Sequence, residues 1–130
     1  MLGPPNNGAQ IARKLRDVVV FRVVAGNAGQ RLGADADEFD KKLATPTCEF
    51  GIIAGSTANS VGRNPLIAGD DDLLVSIEET KLPGAADFIV LNVSHGRLVS
   101  DAAAQRATLS FLRLGRFDEQ RTPQRLPPRP

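Results

Sequence analysis

The sequence is poor in cysteine and in unbalanced charge, and both deficits limit what the protein can do. Cys48 is the only cysteine among 130 residues, so the chain can form neither an internal disulfide nor a cysteine-based zinc site. Basic and acidic side chains nearly balance, with a formal net charge of +1. A near-neutral chain gives no electrostatic reason to expect nucleic acid as a partner. One globular domain is the expectation, since domains most often have about 100–150 residues.

Long apolar runs are missing as well. No stretch approaches the roughly 20 apolar residues that are needed to span a bilayer. The first residues, Met1–Gly8, lack the basic region followed by an apolar region that is typical of a signal peptide. We therefore expect no transmembrane segment, no signal peptide and a cytoplasmic location.

Two short apolar segments predict the strands of a buried sheet. Glu49–Gly55 is apolar and contains β-branched side chains, and Phe88–Val93 is the clearest strand pattern in the chain. A long loop over 56–72 and a turn at 83–84 separate the two segments. Two such strands with a helix after the second are typical of the last part of an α/β array with a parallel sheet.

Helical patterns precede the first strand. Apolar residues recur at helical spacing and predict a helix over 9–24, although its second half, Val18–Val24, would equally suit a strand. A second, shorter surface helix is predicted over 35–43, where acidic residues are followed by basic ones. A proline-containing stretch over 44–47 ends that helix.

The C-terminal part of the sequence divides into a helix and a tail. Asp101–Leu114 predicts a helix that ends at Gly115. Four of its residues are expected to face inward: Ala104, Thr108, Phe111 and Leu112. Residues 118–130 are rich in proline and arginine and almost free of apolar side chains, which predicts a disordered tail. The predicted domain is therefore 1–117.

Three adjacent carboxylates and the only histidine follow the two predicted strands. Asp70, Asp71 and Asp72 end the loop after the first strand, and His95 comes just after the second. In open α/β sheets the loops at the carboxyl ends of the strands form the site. The order therefore predicts a carboxylate and an imidazole side by side, as a hydrolase needs for acid–base chemistry. No EF-hand spacing accompanies the carboxylates, so we expect no metal and no cofactor.

Several segments resemble the C-terminal part of the α/β-hydrolase superfamily, in particular its lipase- and esterase-like members. Met1–Gly8 resembles the exit loop of the sixth strand, and Phe50–Gly55 resembles the seventh strand. Asp87–His95 resembles the eighth strand with the histidine loop, and Phe111–Phe117 resembles the closing helix. The resemblance implies the last parallel strands of that fold with their flanking helices.

The resemblance also implies a Ser-Asp-His mechanism, in which Asp72 is the acid and His95 is the general base. Asp70 and Asp71 remain alternatives for the acid, because Leu73 stands where the superfamily commonly has a glycine after this aspartate. The superfamily carries its nucleophile in a G-x-S-x-G motif, and this sequence contains no such motif. The nucleophile half of the fold is therefore expected to be absent.

These implications combine into two expectations of different classes. The first is the acid- and base-bearing part of an ester hydrolase, inactive alone and acting on a small-molecule ester when complemented. Ser56 and Ser94 are weak substitutes for the nucleophile; Ser94 adjoins His95, and neighbours on a strand point to opposite faces. The second is a non-catalytic remnant or a small binding protein of the same fold. In either case a half-missing sheet would expose apolar faces and strand edges, which predicts self-association through those edges.

Overall fold

The computed structural model describes residues 1–8, 10–15, 45–59 and 62–128. Within the helix predicted over 9–24, Gln10–Leu15 forms helix α1. The rest of that prediction, and the helix predicted over 35–43, lie outside the described residues. No helix in the described part of the chain is long and apolar enough to cross a membrane.

Two strands form a parallel sheet at the positions that the sequence predicts. Strand β1, Gly51–Gly55, pairs along its whole length with β2, Asp87–Leu91. The N-terminus runs parallel to β1 along its opposite edge, where Gly3 N donates to Ile53 O at 2.8 Å and Ile53 N donates to Met1 O at 3.0 Å. Three extended segments therefore lie side by side, in the order N-terminal segment, β1, β2.

Two short helical turns follow the strands. Helix α2, Ile77–Thr80, begins after Ser76, whose hydroxyl accepts a hydrogen bond from Glu79 N while the Glu79 carboxylate accepts one from Ser76 N. This reciprocal arrangement satisfies N–H groups that a helix start leaves without partners. After β2, a 3₁₀ helix spans His95–Arg97.

The long C-terminal helix matches its predicted bounds to within one residue. Helix α3, Ala102–Leu114, starts after Asp101, whose carboxylate accepts two N–H groups of the first turn, and stops at Gly115 with a φ of +69°. Its buried face differs from the predicted one, because Leu112 is 75% exposed while Ala107 is buried. Successive helical residues turn by about 100°, so a face that contains Ala104 and Ala107 carries Leu112 outward.

Strand β1 is covered on both faces, whereas Val90 of β2 is 43% exposed. Alternate residues of β1 enter opposite clusters, because side chains alternate along a strand. One cluster contains Phe50, Ile52, Ala54, Leu82, Ala85 and Phe88, and the other contains Ile53, Leu98, Ala107 and Phe117. The expectation of exposed apolar faces therefore fails for β1, since α3 covers one face while the segment between the strands, together with Leu126, covers the other. The described residues form a mixed α/β unit, as the sequence predicts.

Residues 118–128, for which the sequence predicts a disordered tail, run instead against the start of β2. The buried Asp87 carboxylate accepts hydrogen bonds from Phe117 N at 2.9 Å, Gln124 N at 2.8 Å and Arg121 Nη2 at 2.6 Å. Further along, the backbone of Leu126 exchanges two hydrogen bonds with the turn at 84–85. Polar contacts to one carboxylate hold this segment, which is why its apolar-poor composition does not predict the arrangement.

Candidate active site

His95 lies just beyond the carboxyl end of β2. It is the first residue of the 3₁₀ helix, and Leu98, which follows that helix, is buried in the core. The backbone N–H of His95 donates to Asp72 O at 2.9 Å, which ties the histidine loop to the acidic loop. The imidazole itself is 32% exposed. The backbone of His95 is therefore fixed while part of its ring faces solvent.

Asp72 lies in the loop after β1, and its side chain is fully buried. Its Oδ1 accepts hydrogen bonds from Leu74 N at 3.1 Å and from Val75 N at 2.8 Å. Leu73, which directly follows Asp72, has a φ of +86°, in the left-handed region that favours glycine. The tight turn holds one carboxylate oxygen on the backbone and directs the other, Oδ2, to His95.

The two side chains form a hydrogen bond, with Nδ1 of His95 2.8 Å from Oδ2 of Asp72. An ionised carboxylate can only accept, so Nδ1 carries the proton and Nε2 is the basic nitrogen. The hydrogen bond to Asp72 raises the pKa of His95 above its ordinary value, partial burial opposes this effect, and the charge of the carboxylate adds to it. Within the described residues, Nε2 makes no hydrogen bond. This arrangement lets Nε2 accept a proton while the Asp72 carboxylate stabilises the charged ring.

The other two carboxylates of the acidic run have different partners. Asp71 is buried and accepts hydrogen bonds from three backbone N–H groups over 63–73. Asp70 accepts a hydrogen bond from the hydroxyl of Ser56 at 2.7 Å. Of the three carboxylates, Asp72 is the one that contacts the imidazole. The sequence alone left open which of the three aspartates lies next to the histidine, and the geometry of the loop places Asp72 there.

No serine in the described ranges makes a hydrogen bond with the imidazole. Ser56 donates to Asp70 and accepts from Ala58 N, so its hydroxyl is already engaged. Ser94 directly precedes the 3₁₀ helix, where its side chain makes no capping hydrogen bond. Neither serine that could substitute for the nucleophile is therefore bonded to His95.

Metal-binding side chains do not cluster in the part of the chain that the structure describes. No group of three or more histidine, cysteine, aspartate or glutamate residues there could hold a metal ion. Cys48 is exposed and lies before β1, away from the carboxylates in the sequence. The carboxylates of the acidic run bind the protein's own N–H and hydroxyl groups instead.

Two glycines that sequence reasoning missed line the acid–base pair. A Cβ on Gly55, at the end of β1, would lie 2.7 Å from the Cβ of Asp72 and 2.5 Å from Val93 O. A Cβ on Gly3 would lie 3.1 Å from Nδ1 of His95. A glycine within a strand pattern often marks the close approach of another segment, so Gly55 carried a readable signal. Gly3 stands in a run of loop-forming residues and carried none.

Comparison with known proteins identifies no relative of this chain. The chain matches no protein-family model, no curated protein and no solved structure. The geometry around Asp72 and His95 is therefore the basis for inferring a function.

Proposed function

We propose that Asp72 and His95 are the acid and the general base of an ester hydrolase, and that the chain is the C-terminal part of an α/β-hydrolase-like domain. The 2.8 Å hydrogen bond between two side chains 23 residues apart carries this proposal. An incidental surface ion pair would leave both groups solvated. Here the carboxylate is fully buried and held by backbone N–H groups, and the imidazole that it contacts is 32% exposed.

The order of the segments supports the same proposal. The N-terminal segment, β1 and β2 run parallel and adjacent. The resemblance implies this order for the exit loop of the sixth strand, the seventh strand and the eighth strand of the superfamily. The acid comes from the loop after β1, and the base comes from the loop after β2. In the superfamily the triad likewise follows the chain order serine, acid, histidine.

In the proposed mechanism, Nε2 of His95 takes the proton of a serine hydroxyl while the serine oxygen attacks the ester carbonyl. Asp72 stabilises the imidazolium that forms and keeps the remaining proton on Nδ1. The imidazolium then gives its proton to the departing alkoxide, which leaves as an alcohol. A water molecule, deprotonated in the same way, then attacks the acyl-serine. The bond between the acyl group and the serine oxygen breaks, the imidazolium returns its proton to that oxygen, and the carboxylic acid leaves.

The serine in this proposal comes from outside the 130 residues, on a longer polypeptide or a partner chain, because the sequence has no G-x-S-x-G motif. The oxyanion-hole amides of the superfamily would come from the same half of the fold. A triad without its nucleophile keeps some rate only where the oxyanion hole and the binding site remain. We therefore expect negligible turnover of p-nitrophenyl esters by the 130-residue chain alone. Turnover that disappears in His95→Ala would contradict this expectation.

The decisive experiment reads the coding sequence upstream of Met1 and expresses the chain together with any in-frame extension. We expect an in-frame G-x-S-x-G motif and ester hydrolysis that falls about 10⁶-fold in His95→Ala and about 10⁴-fold in Asp72→Asn. Asp118→Asn is the matched control, because Asp118 is an exposed carboxylate that accepts only a local hydrogen bond from Gln120 N. Hydrolysis that persists in His95→Ala, or an upstream sequence without the motif, would refute the proposal.

A non-catalytic binding protein or remnant of the same fold is the second candidate. It is favoured by the lack of a hydrogen-bond partner for Nε2 of His95 within the described residues and by the lack of a nucleophile motif in the sequence. The same experiment separates the two candidates, since a remnant predicts no hydrolysis in any extended chain.

A further inference from the structure

We propose that Gly3 is a positioning residue for the His95 imidazole, because its missing side chain leaves the space in which the ring reaches Asp72. The catalytic meaning of this inference rests on the proposed function. The placement of the ring does not, and it can be measured in the chain without any nucleophile.

The segment that carries Gly3 is fixed along β1. Gly3 N donates to Ile53 O at 2.8 Å, and Ile53 N donates to Met1 O at 3.0 Å. The amino group of Met1 donates to Gly51 O at 2.8 Å. These three bonds hold the N-terminal segment against a strand whose side chains are buried, so Gly3 cannot move away from the sheet edge without breaking them.

The other end of the same segment is fixed beside α2. Asn6 Nδ2 donates to Thr80 O at 2.8 Å, and Asn7 Nδ2 donates to Lys81 O at 2.9 Å. These bonds satisfy carbonyls at the end of a helix that follows the acidic loop. The N-terminal segment is therefore anchored on both sides of Gly3, and it forms a rigid wall beside the imidazole.

The contacts at Gly3 show which neighbour would have to move. A Cβ there would lie 3.1 Å from Nδ1 and 3.2 Å from Cε1 of His95, and 3.0 Å from Cδ1 of Leu98. Leu98 is buried in the core, whereas the imidazole is partly exposed, so the imidazole is the group able to yield. Nδ1 is also the atom bonded to Asp72, so any shift of the ring weakens that hydrogen bond.

An NMR titration tests the proposal directly, because His95 is the only histidine. We expect Gly3→Ala to lower the pKa of His95 from its raised value towards the pKa that His95 has in the Asp72→Asn variant. Gly84→Ala is the matched control: φ is positive at both glycines, +51° at Gly3 and +92° at Gly84, but a Cβ on Gly84 meets nothing closer than 3.7 Å. It carries the same kind of backbone strain and should leave the pKa of His95 unchanged. A folded Gly3→Ala protein with the wild-type pKa would overturn the proposal.

Two double variants cover the remaining outcomes. If Gly3 acts through the His95–Asp72 bond, then adding Gly3→Ala to Asp72→Asn should cause no further shift in the pKa of His95. If Gly3→Ala alone does not fold, removing the ring should make room for the methyl group. The Gly3→Ala/His95→Ala chain should then unfold cooperatively, with the same melting temperature as the Gly84→Ala/His95→Ala chain. If the double variant also fails to fold, the proposal is wrong. None of these readouts needs ester hydrolysis, so a failure here is distinct from a failure of the proposed function.

Discussion

At the scale of single residues, the backbone of the acidic loop decides which carboxylate meets the imidazole. Three consecutive aspartates bind different groups, and Asp72 faces His95 because the chain turns sharply at Leu73. The sequence could not choose among them, because a leucine in the left-handed region is uncommon and no residue pattern announces it.

Leu73→Gly should stabilise the protein by about 1 kcal/mol. A left-handed conformation costs a non-glycine residue about 1–3 kcal/mol, and the extra freedom of glycine in the unfolded chain returns about 0.5–1 kcal/mol of this gain. Leu73 is 43% exposed, so the loss of its partial burial offsets part of this gain. Leu74→Gly is the control, since Leu74 is equally exposed but has no positive φ, and it should lower stability. Urea unfolding measures both; equal losses would contradict the strain at Leu73.

The raised pKa of His95 predicts how stability changes with pH. A histidine with a higher pKa in the folded state contributes stability that is complete below its unfolded pKa, about 6.5, and that is lost as pH rises through the folded value. Burial lowers the pKa of the Met1 amino group, whose contribution changes in the opposite direction. The difference between wild type and Asp72→Asn therefore isolates His95. Unfolding free energies from pH 5 to 9 should diverge most at low pH, and parallel curves would contradict the coupling.

At the scale of the elements, the apolar pattern predicts the strands and the last helix well. β1 and β2 lie within one or two residues of their predicted bounds, and α3 starts one residue after its predicted start and stops at Gly115 as predicted. These features are readable because they depend on local composition. The close contacts between elements cannot be predicted from local composition, because they depend on which loops approach one another in the folded chain.

Gly55→Ala should disturb the acid side of the pair. Its Cβ would press on the Cβ of Asp72 and on Val93 O, and overpacking of this kind costs about 1–3 kcal/mol. Displacement of the Asp72 carboxylate would weaken its hydrogen bond to His95, so the pKa of His95 should also fall. Gly96→Ala is the control beside the same histidine, because its Cβ meets nothing within 4 Å. Calorimetry should show a loss of stability, and NMR titration a lower pKa of His95, for Gly55→Ala but not for Gly96→Ala. Equal stability and equal pKa in the two variants would be evidence against tight packing at Gly55.

At the scale of the molecule, the C-terminal segment closes the unit around one buried carboxylate. Asp87 at the start of β2 binds groups from residues 117, 121 and 124, far along the chain. No composition rule links an aspartate at a strand start to a proline- and arginine-rich segment, which explains the missed arrangement. Self-association through strand edges stays a prediction, although one edge of β1 is already bonded to the N-terminal segment.

Asp87→Ala should destabilise the protein by about 3 kcal/mol, because it leaves buried N–H groups and the Arg121 guanidinium without their acceptor. Detachment of the segment should also make the bonds after Arg121 and Arg125 more sensitive to trypsin. Asp118→Ala, at an exposed carboxylate, should change stability by no more than about 0.5 kcal/mol. Equal trypsin sensitivity in the two variants would show that Asp87 does not hold the segment.

The acid–base pair itself is tested most directly by nitrogen-resolved NMR of the His95 ring across its titration, in wild type and in Asp72→Asn. We predict a pKa above the ordinary value for histidine in wild type, a neutral ring that keeps its proton on Nδ1, and the loss of both features in Asp72→Asn. A wild-type pKa at or below about 6.5, or a neutral ring protonated on Nε2, would contradict the assignment of Asp72 and His95 as acid and general base.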